Sequence, residues 1–333
     1  MPKVSVLMPV YNAQQFLAEA IDSIIQQCFE DWELIIIDDG STDTSASIIN
    51  QYKDNRIYCL KNEENLGLIK TLNRGVNYCN GEYIARMDAD DIAMRDRLKL
   101  QVEFMDTHPQ YVMCGSNALV INNENEVTGK IKNLTNNYYL QVNLLFSVPF
   151  IHPSMIIRRE ALLENRYDED YLHVEDYELW CRLSQKGKIA NLSQYLLHYR
   201  WHNTNVSVLN SEIQEKQKDQ IIIKQIERLG LTPNKEELFY HKITFNLYRL
   251  GNKQDIPVKE IDRVGKWFQK LIGRNKEQKL FEHSHFVAFL WSRWCVLCIS
   301  QKKYLKMLKP SFASLNPNIL CKLIGLIFFL KQK

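Results

Sequence analysis

Apolar positions follow two rhythms along this chain. Up to residue 91, short continuous apolar runs alternate with stretches where apolar residues recur every three or four positions. Lys3 to Val10 (KVSVLMPV) reads as a buried first strand ending at Pro9. Asn12 is a candidate N-cap, and Phe16, Leu17, Ala20, Ile21, Ile24, Ile25 and Cys28 then recur at helical spacing. Trp32 to Ile37 forms a second apolar strand that runs into Asp38-Asp39-Gly40-Ser41. Gly40 permits a tight turn, and Ser41 or Thr42 is suited to cap a helix through Tyr52. Ile57 to Leu60 is a short third strand, and Asn65-Leu66-Gly67 punctuates before a helix to about Asn80. Gly81 precedes a fourth strand from Tyr83, which ends in Asp88-Ala89-Asp90-Asp91.

This β-α-β-α-β-α-β alternation predicts an α/β fold, a mostly parallel sheet with helices on both faces. In such sheets ligands sit beyond the carboxyl ends of the strands. Pro9-Val10-Tyr11-Asn12, Asp38-Asp39 and Asp88-Ala89-Asp90 all fall on that rim. Each alone is an ordinary turn or cap; their convergence is the signal. Neither G-x-G-x-x-G after the first strand nor G-x-x-x-x-G-K-[ST] occurs, so phosphates need another means of neutralisation. Three carboxylates within four residues repel one another unless a cation joins them, and a hard divalent ion bridging phosphate oxygens does so.

After about Ser211 the texture changes. An amphipathic helix is predicted near 212–228 and further helices near 236–250, 258–272 and 277–300, and a 12-residue apolar run with one Lys inside spans 319–330. That run is too short to cross about 30 Å of hydrocarbon. We divide the chain into domains 1–210 and 211–333. The net charge of +3 is uneven: residues 283–333 carry +8 with no acid, leaving −5 for the rest. Lysine-flanked apolar and aromatic segments suit the surface of an anionic membrane rather than nucleic acid. A helical subdomain burying this face, or a homo-oligomer contact, is the plainer alternative. The eight cysteines show no framework spacing and the start lacks a signal-peptide core, so reduced thiols in a cytoplasmic protein are expected. Cys295-Val-Leu-Cys298, inside an apolar helical run, reads as buried structural thiols.

Several stretches together resemble inverting glycosyltransferases of family 2, which have the GT-A fold. They are VSVLMPVYN (4–12), WELIIIDDGSTD (32–43), NLG (65–67), GEYIARMDADD (81–91), RL (97–98), HPS (152–154), HVEDYELWCRL (173–183) and YRWH (199–202), in the family's order. The resemblance implies a UDP-sugar donor held by Pro9, Tyr11, Asn12, Asp38, Asp39, Asn65, Arg74, Asp88, Ala89, Asp90 and Arg200. Asp39 would accept from the uracil imide, and Asp38 would support its loop. Asp90 would bind Mn2+ or Mg2+, with Asp88 at the ribose or the metal, Asp91 as an outer partner and His202 as a further metal ligand or a donor to the diphosphate. Glu175 and Asp176 open a helix, where carboxylates are favoured. The family pattern makes Asp176 the base that takes the acceptor's proton, with Glu175 positioning the acceptor or the base. His152-Pro153-Ser154 would shape the acceptor side or else form an ordinary loop, and Arg74 and Arg97 would lie by the diphosphate or else on helix surfaces.

Processive members carry Gln-x-x-Arg-Trp and several membrane spans. Here Leu197 stands at the Gln position before Arg200-Trp201, and no apolar run reaches 18 residues. The reading is therefore a non-processive transferase. It would add one hexose or N-acetylhexosamine in β-linkage to a lipid-linked or oligosaccharide acceptor for cell-surface polysaccharide, at the inner face of the membrane. A nucleotidyltransferase and a nucleotide-sugar-binding module without activity are the competitors.

Overall fold

The computed structural model describes residues 1–201, 211–246, 258–308 and 317–331. The alternation read from the sequence is present: β1 (Val4–Val10), α1 (Leu17–Ile25), β2 (Trp32–Asp38), α2 (Ser45–Ile49), β3 (Ile57–Lys61), α3 (Leu68–Val76) and β4 (Tyr83–Arg86). β1 pairs in parallel with β2 and β4, and β2 with β3. Side chains alternate along β1, so Val4, Val6 and Met8 join one core with Leu17, Ala20, Ile21 and Ile24 of α1. Leu7 faces the other way, where Gly75 of α3 approaches so closely that an added Cβ would lie 2.3 Å from Leu7 Cδ1. Burial on both faces is why these strands read as unbroken apolar runs.

Beyond β4 the sheet becomes mixed. The chain continues through β5 (Ile92–Ala93), α4 (Arg97–Thr107), β6 (Tyr111–Ile121), β7 (Val127–Ile131), α5 (Asn137–Asn143), a single 3-10 turn (His152–Ser154), β8 (Ile156–Arg158), α6 (Arg159–Glu164), α7 (Glu175–Leu183) and β9 (Lys188–Arg200). The strand order is β3-β2-β1-β4-β8-β6-β9-β5, with β7 on β6. β8 is antiparallel to β4 and β6, while β6 and β9 run parallel.

Two capping expectations fail. Asn12 takes φ 49° and does not cap α1, whose N-cap residue is Phe16. Ser41 and Thr42 do not cap α2, which starts at Ser45 and stops at Ile49 rather than running to Tyr52. Asn12, Ser41 and Thr42 are instead engaged with one another across two loops.

The chain divides into two compact units, 1–135 with 149–217 and 136–148 with 218–333. The second takes α5 from the middle of the region expected to be one domain. To it belong most of α8 (Ser211–Glu227), then α9 (Lys235–Asn246), α10 (Val258–Gln278), α11 (His283–Ser300), α12 (Tyr304–Leu308) and α13 (Pro317–Lys331). The helix expected over 277–300 is interrupted at Lys279, which adopts φ 53°, and the Asn275 side chain clamps Phe281 through its N–H at 2.9 Å and its carbonyl at 3.0 Å. This unit's core is aromatic. Phe146 stacks on His241 at 4.0 Å and lies 4.9 Å from Phe245 and 5.9 Å from Phe289. The buried His241 donates from Nε2 to Leu145 O at 2.8 Å and accepts at Nδ1 from Trp267 Nε1 at 3.1 Å. Burial pushes its imidazole down to about 3, so the ring is neutral and fully partnered. Among the described residues, no helix is long and apolar enough to cross a membrane.

Candidate active site

The first half of the site is a pair of loops at the ends of β1 and β2. Asn12 N–H donates to Ser41 Oγ at 3.0 Å, and Asn12 Oδ1 accepts from Thr42 N at 2.8 Å. Ala13 N donates to Ser45 Oγ and Gln14 N to Asp43 Oδ2, each at 3.0 Å. Tyr11 is left half exposed at the outer edge of this clamp. Asp39 lies beneath it, buried. Its carboxylate accepts from Asn62 Nδ2 at 2.6 Å, Leu66 N at 2.9 Å and Gly67 N at 3.0 Å. A carboxylate offers about four lone-pair sites, so one acceptor position remains. Asn65 closes the same loop by accepting from Gly67 N at 2.9 Å. Gly67 opens α3 at φ 86°, and Gly40 at φ 72° is so close to Glu64 that a Cβ would lie 2.6 Å from its carbonyl carbon. Asp38 accepts from Ser41 N at 2.9 Å through Oδ1, while its buried Oδ2 has no partner. Arg74 donates to Lys61 O at 3.0 Å and to Asn62 Oδ1, so in this structure it braces the Asp39 loop.

The second half follows β4. Oxygens of Asp88, Asp90 and Asp91 lie within 4.8 Å of one another, a set that suits a hard divalent cation. Asp91 is 1% exposed; its Oδ1 accepts from Arg200 N at 2.8 Å, and its Oδ2 is buried without a partner. Burial, followed by the neighbouring charges of Asp90 and Asp88, holds the Asp91 carboxyl well above the usual carboxylate range. A cation among the three would reverse that penalty. Ala89 is buried between the acids. Arg200 is fully buried, with Nε on Asp90 O at 2.7 Å, Nη1 on Asn122 O at 2.8 Å and Nη2 on Glu19 Oε2 at 2.9 Å. Its guanidinium braces the acidic loop, a different position from the phosphate contact implied by the sequence. Arg97 is also buried and donates to Arg86 O at 2.7 Å, so it is no helix-surface charge. His202 lies outside the described residues.

The third part is the start of α7. His173 precedes it at φ 67°, and Val174 is the N-cap residue without a side-chain cap, so Glu175 and Asp176 sit in the first turn. Asp176 Oδ1 accepts from Tyr177 N at 2.7 Å. Glu175 is buried; desolvation first, then the adjacent Asp176, pushes its carboxyl up to about 7. Glu178 is removed from the site by its ion pair with Arg182 at 2.7 Å.

Arg86, Tyr167 and Tyr199 join these acids. Arg86 is 3% exposed, with Nη1 2.5 Å from Asp88 Oδ1 and a buried Nε that has no hydrogen-bond partner. Its charge acts on Asp88, Asp91, Glu175 and Tyr167. Tyr167 is held by Asn73, which accepts from its N–H at 3.0 Å and donates to its carbonyl at 2.8 Å. The Tyr167 hydroxyl meets His152 Nε2 at 2.9 Å. Burial, then Arg86, keeps His152 well below the usual histidine value and therefore neutral. Tyr167 and Tyr199 both feel Asp88 and Asp176, and Tyr199 also feels Asp90 and Asp91. The acids after β4 and those opening α7 thus share one electrostatic site. Sequence reasoning missed Arg86, Tyr167 and Tyr199 as its members; an arginine inside an otherwise apolar strand was the available signal for the first.

A family model described as "Glycosyl transferase family 2" matches residues 5–166. An uncharacterized glycosyltransferase of Haemophilus influenzae is 31% identical over 284 residues, covering 81% of this chain and 84% of that protein. The UDP-Glc:alpha-D-GlcNAc-diphosphoundecaprenol beta-1,3-glucosyltransferase WfgD of Escherichia coli is 28% identical over 215 residues, or 64% of this chain and 81% of that protein. Among solved structures, S. aureus TarS 1–349 in complex with UDP-GlcNAc superposes with a TM-score of 0.55 at 17% identity, covering 92% of this chain and 90% of that one. At that identity the likeness shows a shared fold.

Proposed function

Because the chain belongs to glycosyltransferase family 2 and has the GT-A fold, we propose that it transfers one hexose or N-acetylhexosamine, with inversion, from a UDP-sugar to a lipid-linked saccharide, forming a β-linkage. The observation that carries this is the convergence of Asp88, Asp90 and Asp91 with Glu175 and Asp176 around Arg86, Tyr167 and Tyr199. Family membership sets aside the nucleotidyltransferase reading. The donor and acceptor classes are supported by analogy with TarS, which binds UDP-GlcNAc, and WfgD, whose acceptor is a diphosphoundecaprenol. A lipid-linked acceptor agrees with work at the inner membrane face on cell-surface polysaccharide, with the basic second unit against the lipid.

The donor's base and ribose would lie against the loops clamped by Asn12 and Asp39, where Asp39 keeps one acceptor position and Tyr11 an exposed ring. Asp90 and Asp88 would hold Mn2+ or Mg2+, and the unpartnered Asp91 Oδ2 beside them fits a cation. When bound, such an ion supplies charge stabilisation to the UDP leaving group. Asp176 takes the proton from the acceptor hydroxyl as that oxygen bonds to the anomeric carbon. The bond from that carbon to the diphosphate breaks, and its electron pair leaves on UDP. Glu175, buried beside Asp176, positions it, and Arg86 keeps Asp88 aimed at the shared site. A panel of UDP-sugars offered with a lipid-diphosphate sugar, followed by product analysis, tests the proposal. No glycoside product with any donor, or a product of retained configuration, would overturn it.

A further inference from the structure

We propose that the corner between α11 and α12 is a docking element for an anionic lipid surface. The inference deepens the membrane-side part of the function proposed above, and its structural basis lies within the second unit. α11 ends in a Schellman turn: Lys303 N donates to Cys298 O at 2.7 Å and Lys302 N to Ile299 O at 3.0 Å. The left-handed position of such turns usually carries Gly; here Lys302 occupies it at φ 55°. The bend presents Lys302-Lys303-Tyr304-Leu305, all exposed, with Leu305 at 87%, Tyr304 at 56% and the preceding Ile299 at 49%.

The corner is pinned from behind. Trp294 Nε1 donates to Lys306 O at 3.0 Å, and Lys306 pairs with Asp262. Lys302 and Lys303 make no ion pair among the described residues, and residues 283–333 contain no acid. Each possible occupant would treat this surface differently. A polyanion without an apolar layer would leave Leu305 in water. A second copy of the chain in a two-fold contact would bring like lysines together. An anionic bilayer satisfies every component: lysines meet headgroups, Tyr304 lies at headgroup level, and Leu305 and Ile299 enter the acyl boundary.

Full-length protein sedimented with phosphatidylcholine vesicles containing phosphatidylglycerol tests this, with pure phosphatidylcholine vesicles as the control. Partitioning is expected only with the anionic vesicles. Leu305→Glu should lower it about tenfold, and Lys302→Glu with Lys303→Glu more than about twenty-fold. Unchanged partitioning in both variants, or equal partitioning onto neutral vesicles, would overturn the assignment. So would a dimer in solution that Leu305→Glu converts to monomer. Transfer to a short-chain, water-soluble acceptor should be the same in wild type and variants, so failure of docking is distinguishable from failure of the transferase reading. Circular dichroism melts confirm that the variants fold.

Discussion

The two units differ in the acids they bury. The first buries Glu33, Asp38, Asp39, Asp91 and Glu175, and leaves one oxygen each of Asp38 and Asp91 without a partner. Among the described residues of the second, no acid is buried, and His241 has both ring nitrogens occupied and stays neutral. An unsatisfied buried polar atom costs about 1–3 kcal/mol, so a fold keeps such atoms where something else compensates. The unpartnered acid oxygens of the first unit are what the cation and donor proposed above would satisfy.

The most severe way to break this contrast is to remove the proposed base. Asp176→Asn should lower transfer by about 10³-fold or more while UDP-sugar binding, read by calorimetry, persists. A variant with near-normal turnover would remove Asp176 from the chemistry. Next, Arg86→Leu takes the cation from among the acids. Transfer is expected to fall by about a hundred-fold, with partial recovery in Arg86→Lys, because the charge returns without the guanidinium's geometry. Steady-state rates for the pair decide whether Arg86 links the two acid groups or only fills space. A complementary substitution in the second unit, His241→Ala, removes a stacked ring and two hydrogen bonds. It should cost about 2–4 kcal/mol in a denaturant melt yet leave turnover on a soluble acceptor within about threefold.

The smallest effect is the most discriminating. Glu175 has a native value of about 7 against an ordinary 4.5, so between these the native state keeps a proton that the unfolded chain has released. Its contribution is full below the unfolded value and is lost as pH rises through about 7. His241 is the reverse: its native value of about 3 lies below the ordinary 6.5, so its contribution is present above the unfolded value and lost as pH falls toward about 3. Thermal melts in chelator should show Glu175→Gln flattening the loss as pH rises from about 4.5 to about 7, by on the order of 1–3 kcal/mol. His241→Phe should flatten the loss on the acid side. Identical pH profiles for wild type and both variants would erase the contrast.

The acids were readable because strand ends in an alternating α/β pattern converge by topology, and Asp38, Asp39, Asp88 and Asp90 follow the ends of apolar runs. Arg97 and Arg200 were read as charges near a ligand, yet both are buried braces. Charge alone does not show whether a guanidinium faces a substrate or, like Arg200, the Asp90 carbonyl. The antiparallel β8 between β4 and β6 was invisible because its pairing joins Ile156 and Ile157 to residues far away in sequence. Asn12 shows the same lesson at short range: an ideal capping residue by type was claimed by Thr42, 30 residues on.

The excursion of residues 136–148 into the second unit bears on how the chain is made and how it tolerates cutting. Among the described residues, Phe146 packs its ring against His241, Phe245, Phe268 and Phe289. A nascent chain must therefore carry α5 unpaired until those residues leave the ribosome. A fragment ended at 210 would expose the same apolar segment permanently, so the first unit is not separable by trimming the C-terminus. Shortening this protein invites aggregation at α5, far in sequence from the cut.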